Sequence, residues 1–215
     1  MNFLALCKRV RQDSGVTGEG PAAVTSQTGI LARIVNWTKR ANNEVQLANP
    51  SWTFLRKSKS VSFVIGQSDY TPTALTLDPV GSITDIYVEG NKIEVVDYSD
   101  WLDDIAKFED ASNQAAPTHV TLDDSGNLKF YPTPSEAFTL SVVYQRKPVQ
   151  LTANTDTPIF DEAFHEIIVA RALMFYADYE EDNYRYQRAS LEYEHWLSLM
   201  SDRYLPQISL RSRLA

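Results

Sequence analysis

Cysteine is all but absent from this 215-residue chain: Cys7 stands alone. No internal disulfide framework can form, and synthesis in a reducing compartment is expected. On a short amphipathic stretch, Cys7 reads as a small core residue rather than a nucleophile. Histidine is scarce too. His119, His165 and His195 fall in separate elements without the spacing of a ligand set. His165 follows Phe164 near a helix start, where a structural imidazole fits; His195 sits beside Trp196, with Glu192 and Glu194 close by. No run reaches the roughly 18 apolar residues of a membrane span. Phe3 to Leu6 is too short for a leader core and runs straight into Lys8, Arg9 and Arg11, so no signal peptide is expected. Net positive charge is also lacking. The formal charge is −8, which argues against tight nucleic-acid binding, because that needs clustered cations to displace counterions from phosphate.

Catalytic motifs are missing as well. Asp123-Asp124-Ser125-Gly126-Asn127 resembles a fragment of a calcium loop but lacks the distal bidentate glutamate, and a hairpin turn explains it better. Asp103-Asp104 and Glu180-Glu181-Asp182 have no partner base and no apolar seclusion to split their pKa values. The Gly15 to Gly20 loop lacks the P-loop lysine and does not link a strand to a helix. No catalytic constellation emerges. No enzyme activity, metal or cofactor is expected.

What is present suits one globular domain carrying a sizeable insertion: 43% hydrophobic residues, 22% charged, and a mean hydropathy of −0.30. Charge is unevenly spread, with residues 1–60 at +6, residues 61–150 at −9 and residues 151–215 at −5. Such asymmetry can steer unlike surfaces of neighbouring subunits together, or it is simply a solvated charged face.

The best-defined stretch runs from Ile159 to Leu205. Phe164, Ile168, Ala172 and Phe175 recur at helical spacing, and Ile167, Val169, Leu173 and Met174 fill the remaining circumference, so the spacing predicts a buried helix. After the polar break Asp178 to Asn183, a second helix places Tyr186, Ala189, Tyr193, Trp196, Met200 and Tyr204 on one face and ends before Pro206. An antiparallel hairpin results, and it needs a partner. Residues 2–12 predict a short helix with Phe3, Leu6, Cys7 and Val10 on one side. Thr25 or Ser26 caps a longer one with the stripe Ile30, Ile34, Trp37, Ala41, Val45 and Ala48, closed by Pro50. Trp52, Phe54 and Leu55 are expected to tuck against the hairpin.

Between these helices the period changes. Val61, Phe63 and Ile65 alternate as in a half-buried strand, and Gly66 to Pro72 is a turn region. Ile83–Val88 and Ile93–Asp97 flank Glu89-Gly90-Asn91, a hairpin signal. Ser99 caps a short helix with Trp101, Ile105 and Phe108 on one face; Ser112 to Pro117 is a loop. His119–Leu122 and Leu128–Tyr131 form a second hairpin, Pro132 and Pro134 interrupt pairing, and Phe138–Tyr144 is the last strand. Five to seven short strands are expected.

The expected fold class is α+β. A helical bundle from residues 1–57 and 150–205 carries an inserted small antiparallel β domain, 58–149, and an extended C-terminal tail, 206–215, that is either disordered or an arm docking on a partner. Eleven tyrosines and four tryptophans are many for this length. Tyr179, Tyr184, Tyr186 and Tyr193 cannot all face one core, and exposed Tyr and Trp suit a protein interface. Tyr179, Tyr184 and Tyr186, with Arg33 and Arg40, are the candidate subunit interface. A tail-associated carbohydrate- or receptor-binding module, with Trp101 stacking a sugar, is the alternative.

Several segments, taken in order, resemble the head–tail adaptor (connector) proteins of tailed bacteriophages, the family that includes the tail tubular protein A type. They are Phe3 to Arg11 followed by a Gly-rich loop, Thr28 to Trp37, Pro50 to Arg56, Leu128 to Pro134, Asp156-Thr157-Pro158, Phe164-His165, and Ile168 to Leu173. The resemblance implies a ring of about twelve copies bound beneath the portal protein at the virion neck, made in the host cytoplasm. It implies docking of a tail tube or nozzle protein, and passage of genomic DNA through the lumen without specific binding. It also implies a portal-gripping C-terminal arm, here Ile208, Leu210, Arg211, Arg213 and Leu214, and no membrane.

Overall fold

The computed structural model describes residues 1–105 and 113–205. In chain order the elements begin with helices α1 (Phe3–Ser14) and α2 (Gly29–Leu47). Strands β1 (Arg56–Ser62), β2 (Asp69–Tyr70), β3 (Val80–Val88), β4 (Asn91–Lys92) and β5 (Glu94–Val95) follow. After the helical turns α3 (Tyr98–Asp100) and Trp101–Ile105 come β6 (Gln114–Ala115), β7 (His119–Leu122), β8 (Leu128–Tyr131), β9 (Thr133–Pro134) and β10 (Thr139–Arg146). Helices α4 (Glu166–Tyr179) and α5 (Asn183–Tyr204) complete the chain, which is α+β. It folds as two compact units: Met1–Phe54 with the chain from Pro148 onward, and Leu55–Lys147.

In the helical unit, α1 starts where the Asn2 side chain accepts from the Ala5 N–H at 2.9 Å and stops at Gly15, whose φ of 76° a side chain would strain. Phe3, Leu6, Cys7 and Val10 are buried, as their spacing predicts. The longer helix begins at Gly29 after Thr28, two or three residues beyond the expected cap at Thr25 or Ser26. Ser26 takes φ 58°, a left-handed turn conformation, so the chain around it does not run into the helix there. Along α2, Ile34, Ala41 and Val45 are buried, Ile30 and Trp37 half-buried, and Ala48 exposed. A second, polar stripe is buried beside them: Thr38, Asn42 and Gln46.

Helix α4 is buried on most of its circumference, with Ile167 to Ala170, Ala172, Met174, Tyr176 and Ala177 all inside. It starts at Glu166 rather than near Ile159, because the preceding chain is tied elsewhere. Asp161 accepts from the Ala163 N–H and caps a separate short turn, Glu162–Phe164. The turn Asp178 to Asn183 joins α4 to α5, and the Asp182 side chain caps α5 by accepting from Arg185 N–H at 2.9 Å. Trp52 is fully buried. Its indole N–H donates to the Val45 carbonyl at 3.1 Å, and its ring stacks on Phe54, which packs on Phe160 and Tyr204.

The β unit holds a sheet ordered β1-β10-β3-β4, a second ordered β2-β8-β7-β5, and the small pair β6-β9. Side chains from both larger sheets make one core, with Phe63, Tyr70 and Phe130 packed edge to face at 4.9 to 5.9 Å. Several expectations shift here. The first strand runs Arg56–Ser62, not through Ile65, which is exposed. Its residues are mostly polar and exposed, since β10 holds it largely by the backbone ladder, and only Val61 packs on the core. Glu89 and Gly90 take the two left-handed positions of the hairpin turn. The returning strand stops at Lys92, because Ile93 drops into the core and Glu94–Val95 joins the second sheet parallel to β7. Asp97, not Ser99, caps the helical turn by accepting from the Ser99 N–H. Phe108 lies outside the described residues. Gln114–Ala115 pairs with Thr133–Pro134 where a loop and an interruption were expected. Such two-residue pairings raise the strand count to ten among the described residues.

Candidate functional site

The richest exposed chemistry on the helical unit is where α2, α4 and α5 share a face. The Arg33 guanidinium lies 4.5 Å over the Tyr179 ring, Tyr179 packs on Trp37 at 5.6 Å, and Trp37 meets Tyr176 edge-on at 6.1 Å. A turn further on, Arg40 and Arg171 both cover Phe175, at 4.3 and 4.7 Å, and Arg171 also faces Tyr193 at 5.6 Å. Glu44 locks this second pile by accepting from Arg40 Nε at 2.8 Å and Arg171 Nε at 2.7 Å. Burial alone would raise the Glu44 carboxyl. Hydrogen bonds from Arg171 and then Arg40, with their positive charge, outweigh it and hold the group below the usual carboxylate range. The face is therefore aromatic, cationic and already ordered, so a partner meets side chains with little freedom left to lose.

Of the residues expected at a subunit interface, Arg33 and Tyr179 come together, and Arg40 lies two turns along α2 in the Glu44 pile. Tyr184 and Tyr186 do not join them. They stand on the first turns of α5, 77% and 40% exposed, without a ring partner among the described residues. Glu44 and Arg171 were passed over by the sequence reading, and Trp37 and Phe175 were placed in core stripes although both are half-buried. The available signals were Arg40 and Glu44 at i, i+4, and Arg171 as the single cation within α4.

Beside this face, a cleft of about 400 Å³ is lined by Arg9, Asp13, Tyr176, Arg185, Arg188 and Glu192, among others. Its charges largely answer one another: Arg9 meets Asp13 at 3.2 Å, and Arg185 pairs with Asp182 while donating to the Ser14 carbonyl at 2.7 Å.

Cys7, the three histidines and Asp123, weighed for catalysis, each have structural surroundings or partners. Burial pushes the Cys7 thiol up to about 12, so it is not a thiolate at neutral pH. His165 is buried, with Nε2 3.1 Å from the Phe160 carbonyl and Nδ1 2.8 Å from the Met1 amine. His119 meets the Thr118 hydroxyl, and His195 packs edge-on to Trp196. Asp123 spends its carboxylate inside its own turn, accepting from Ser125 N, Asn127 N and Asn127 Nδ2. Among the described residues no group of three His, Cys, Asp or Glu is placed to hold a metal. Trp101, the expected sugar platform, is 1% exposed with its ring edge-on to Tyr131, so it offers no stacking surface. No helix among the described residues is long and apolar enough to cross a membrane. The arm residues Ile208, Leu210, Arg211, Arg213 and Leu214 lie outside the described residues.

No curated protein matches the chain. A family model described as SU10 adaptor protein matches residues 1–213. The chain belongs to that family: it is a bacteriophage adaptor, a structural protein of the virion.

Proposed function

We propose that this SU10-family adaptor assembles as a ring of about twelve copies at the head–tail junction, beneath the portal protein. The ring extends the DNA channel and docks the tail tube or nozzle protein. The carrying observation is a family match spanning both units of the chain, from residue 1 to residue 213. The helical unit supports the reading with a surface of interface composition, in which Arg33, Tyr179 and Trp37 are pre-stacked and Tyr184 and Tyr186 are exposed. Neighbouring copies meet through these groups and Arg40. The arm from Ile208 to Leu214 grips the portal, its arginines supplying charge and its aliphatic residues anchoring it. A net charge of −8 suits a channel past which DNA moves without sticking, since phosphate is repelled.

The test is to mix the purified full chain with its cognate portal protein and sediment the mixture. A co-migrating ring complex is expected, and removal of residues 206–215 should abolish it. If no complex forms with the full chain, the reading fails.

A further inference from the structure

Strand β1 is an edge strand with an unusual electrostatic state. It is bonded to β10 on one side only, and Arg56 to Ser60 are all exposed. The other cations of this unit mostly have acids: Lys92 meets Asp85 at 2.6 Å, Lys129 meets Asp69 at 2.8 Å, and Arg146 meets Asp78 at 3.8 Å. Arg56, Lys57 and Lys59 form no ion pair among the described residues. Just past the strand, Val64 and Ile65 stand 56% and 61% exposed. An open strand edge, three unpaired cations and two bare aliphatic side chains thus adjoin one another.

The same unit carries the opposite combination elsewhere. Asp100, Asp103 and Asp104, spaced i, i+3, i+4 on the turns Tyr98–Asp100 and Trp101–Ile105, are exposed and form no ion pair among the described residues. Leu102 between them is 50% exposed, and the segment is fixed by buried Trp101 against Tyr131. In the first sheet β1 is one outer strand and β4 the other. From β4 the chain passes to β5, the outer strand of the second sheet, and then into the acidic turns. Basic edge and acidic turns therefore issue from opposite ends of the strand order and, among the described residues, do not pair with each other.

We infer that the open β1 edge, with Val64 and Ile65, docks the acidic Asp100–Asp104 segment and Leu102 of a second copy of this chain. The inference rests on the reading that adaptor copies sit side by side, and it names surfaces that meet in the β unit. Charge argues against two other occupants within the chain, a second β1 edge and the C-terminal residues. Lys57 and Lys59 lie opposite Tyr144 and Val142, and so share their face of the sheet. Such lysines keep two β1 edges from pairing with each other. The C-terminal residues carry Arg211 and Arg213 and are repelled by the same cations. Joining unlike patches makes a heterologous contact, the kind that closes into a ring.

The experiment compares self-association of the full chain with two charge-reversed variants by sedimentation equilibrium, checking each fold by its melting curve. Lys57→Glu with Lys59→Glu, and separately Asp103→Lys with Asp104→Lys, should each weaken association roughly tenfold or more. Mixing the two variants should restore it, and raising salt to about 0.5 M should weaken the wild type. Reversed variants that associate like wild type, a mixture that recovers nothing, or a wild type that stays monomeric at low salt would each overturn the inference. The same variants are then mixed with the portal protein. Rings at wild-type yield from both variants sink the β1 contact and leave the adaptor reading standing. A wild type that self-associates with the expected salt and swap behaviour but never binds the portal upholds the contact and sinks the adaptor reading.

Discussion

The helical and β units hold themselves together by opposite means. Of the six polar residues buried among those described, five (Ser14, Thr38, Asn42, Gln46 and His165) belong to the helical unit and one, Thr121, to the β unit. The helical unit is assembled from two stretches far apart in sequence, and polar side chains reach between them. Gln46 accepts from the Val149 N–H at 2.9 Å and donates to its carbonyl at 3.0 Å, while Asn42 donates to the same carbonyl. Arg185 donates to the Ser14 carbonyl, Glu44 holds Arg171, and the Val24 N–H donates to the Asn154 side chain. The β unit is one continuous stretch held by backbone ladders around an apolar core. Joining distant chain segments calls for directional bonds that specify which piece meets which; folding one stretch on itself does not.

The largest effect that would sharpen this contrast is at Trp52, which serves both as apolar filler and as donor to Val45. Trp52→Ala should lower stability by about 3–5 kcal/mol in urea unfolding. A loss below about 1 kcal/mol would mean that the two ends are not joined through this ring. Next comes Gln46→Ala, which leaves the Val149 N–H and carbonyl short of a partner. A loss of about 1–3 kcal/mol is expected by the same measurement. The contrast would break if Thr121→Val in the β unit did as much harm. The Thr121 hydroxyl has no hydrogen-bond partner among the described residues, so that change should stay within about 0.5 kcal/mol of wild type.

Acid should also act first on the helical unit. Burial, reinforced by the nearby Met1 amine, holds the His165 pKa below its ordinary 6.5 against the opposing pull of the Phe160 carbonyl and Glu162. The unfolded imidazole therefore takes up a proton as pH falls through 6.5 while the folded one does not, so this contribution is complete above that pH and is lost below it. Urea midpoints measured from pH 7.5 down to 5.5 should fall, with a shallower slope for His165→Gln. An identical slope in the variant would remove His165 from the account. A milder case than Trp52 is Trp196→Ala. That ring is half-buried on α5, so its removal should cost less than Trp52→Ala, about 1–2 kcal/mol.

The helices were legible in the sequence because burial writes a 3.6-residue period: Phe3, Leu6 and Val10 in α1, and the nearly all-round apolar α4. Their starts were less so. Neither the left-handed Ser26 nor the tied segment ahead of Glu166 shows in a hydrophobic pattern. Among the strands, β10 announced itself through Leu140, Val142 and Tyr144, all facing the core. Strand β1 did not, since only Val61 on it packs on the core and its other residues are exposed. The candidate interface was half legible. Surplus tyrosines pointed to exposed Tyr179 and Tyr184, but Arg33 over Tyr179 and Glu44 between two arginines depend on how α2 packs beside α4, which no local spacing reveals.

The central proposal, that the pre-stacked face of the helical unit is where adaptor copies meet, is tested most directly by ring yield on the portal with Arg33→Ala and Tyr179→Ala combined. Both residues are exposed, and losing their cation–π contact should lower stability by only about 0.5–1 kcal/mol. The account predicts a folded chain that no longer completes a ring. A variant that forms rings at wild-type yield would contradict it.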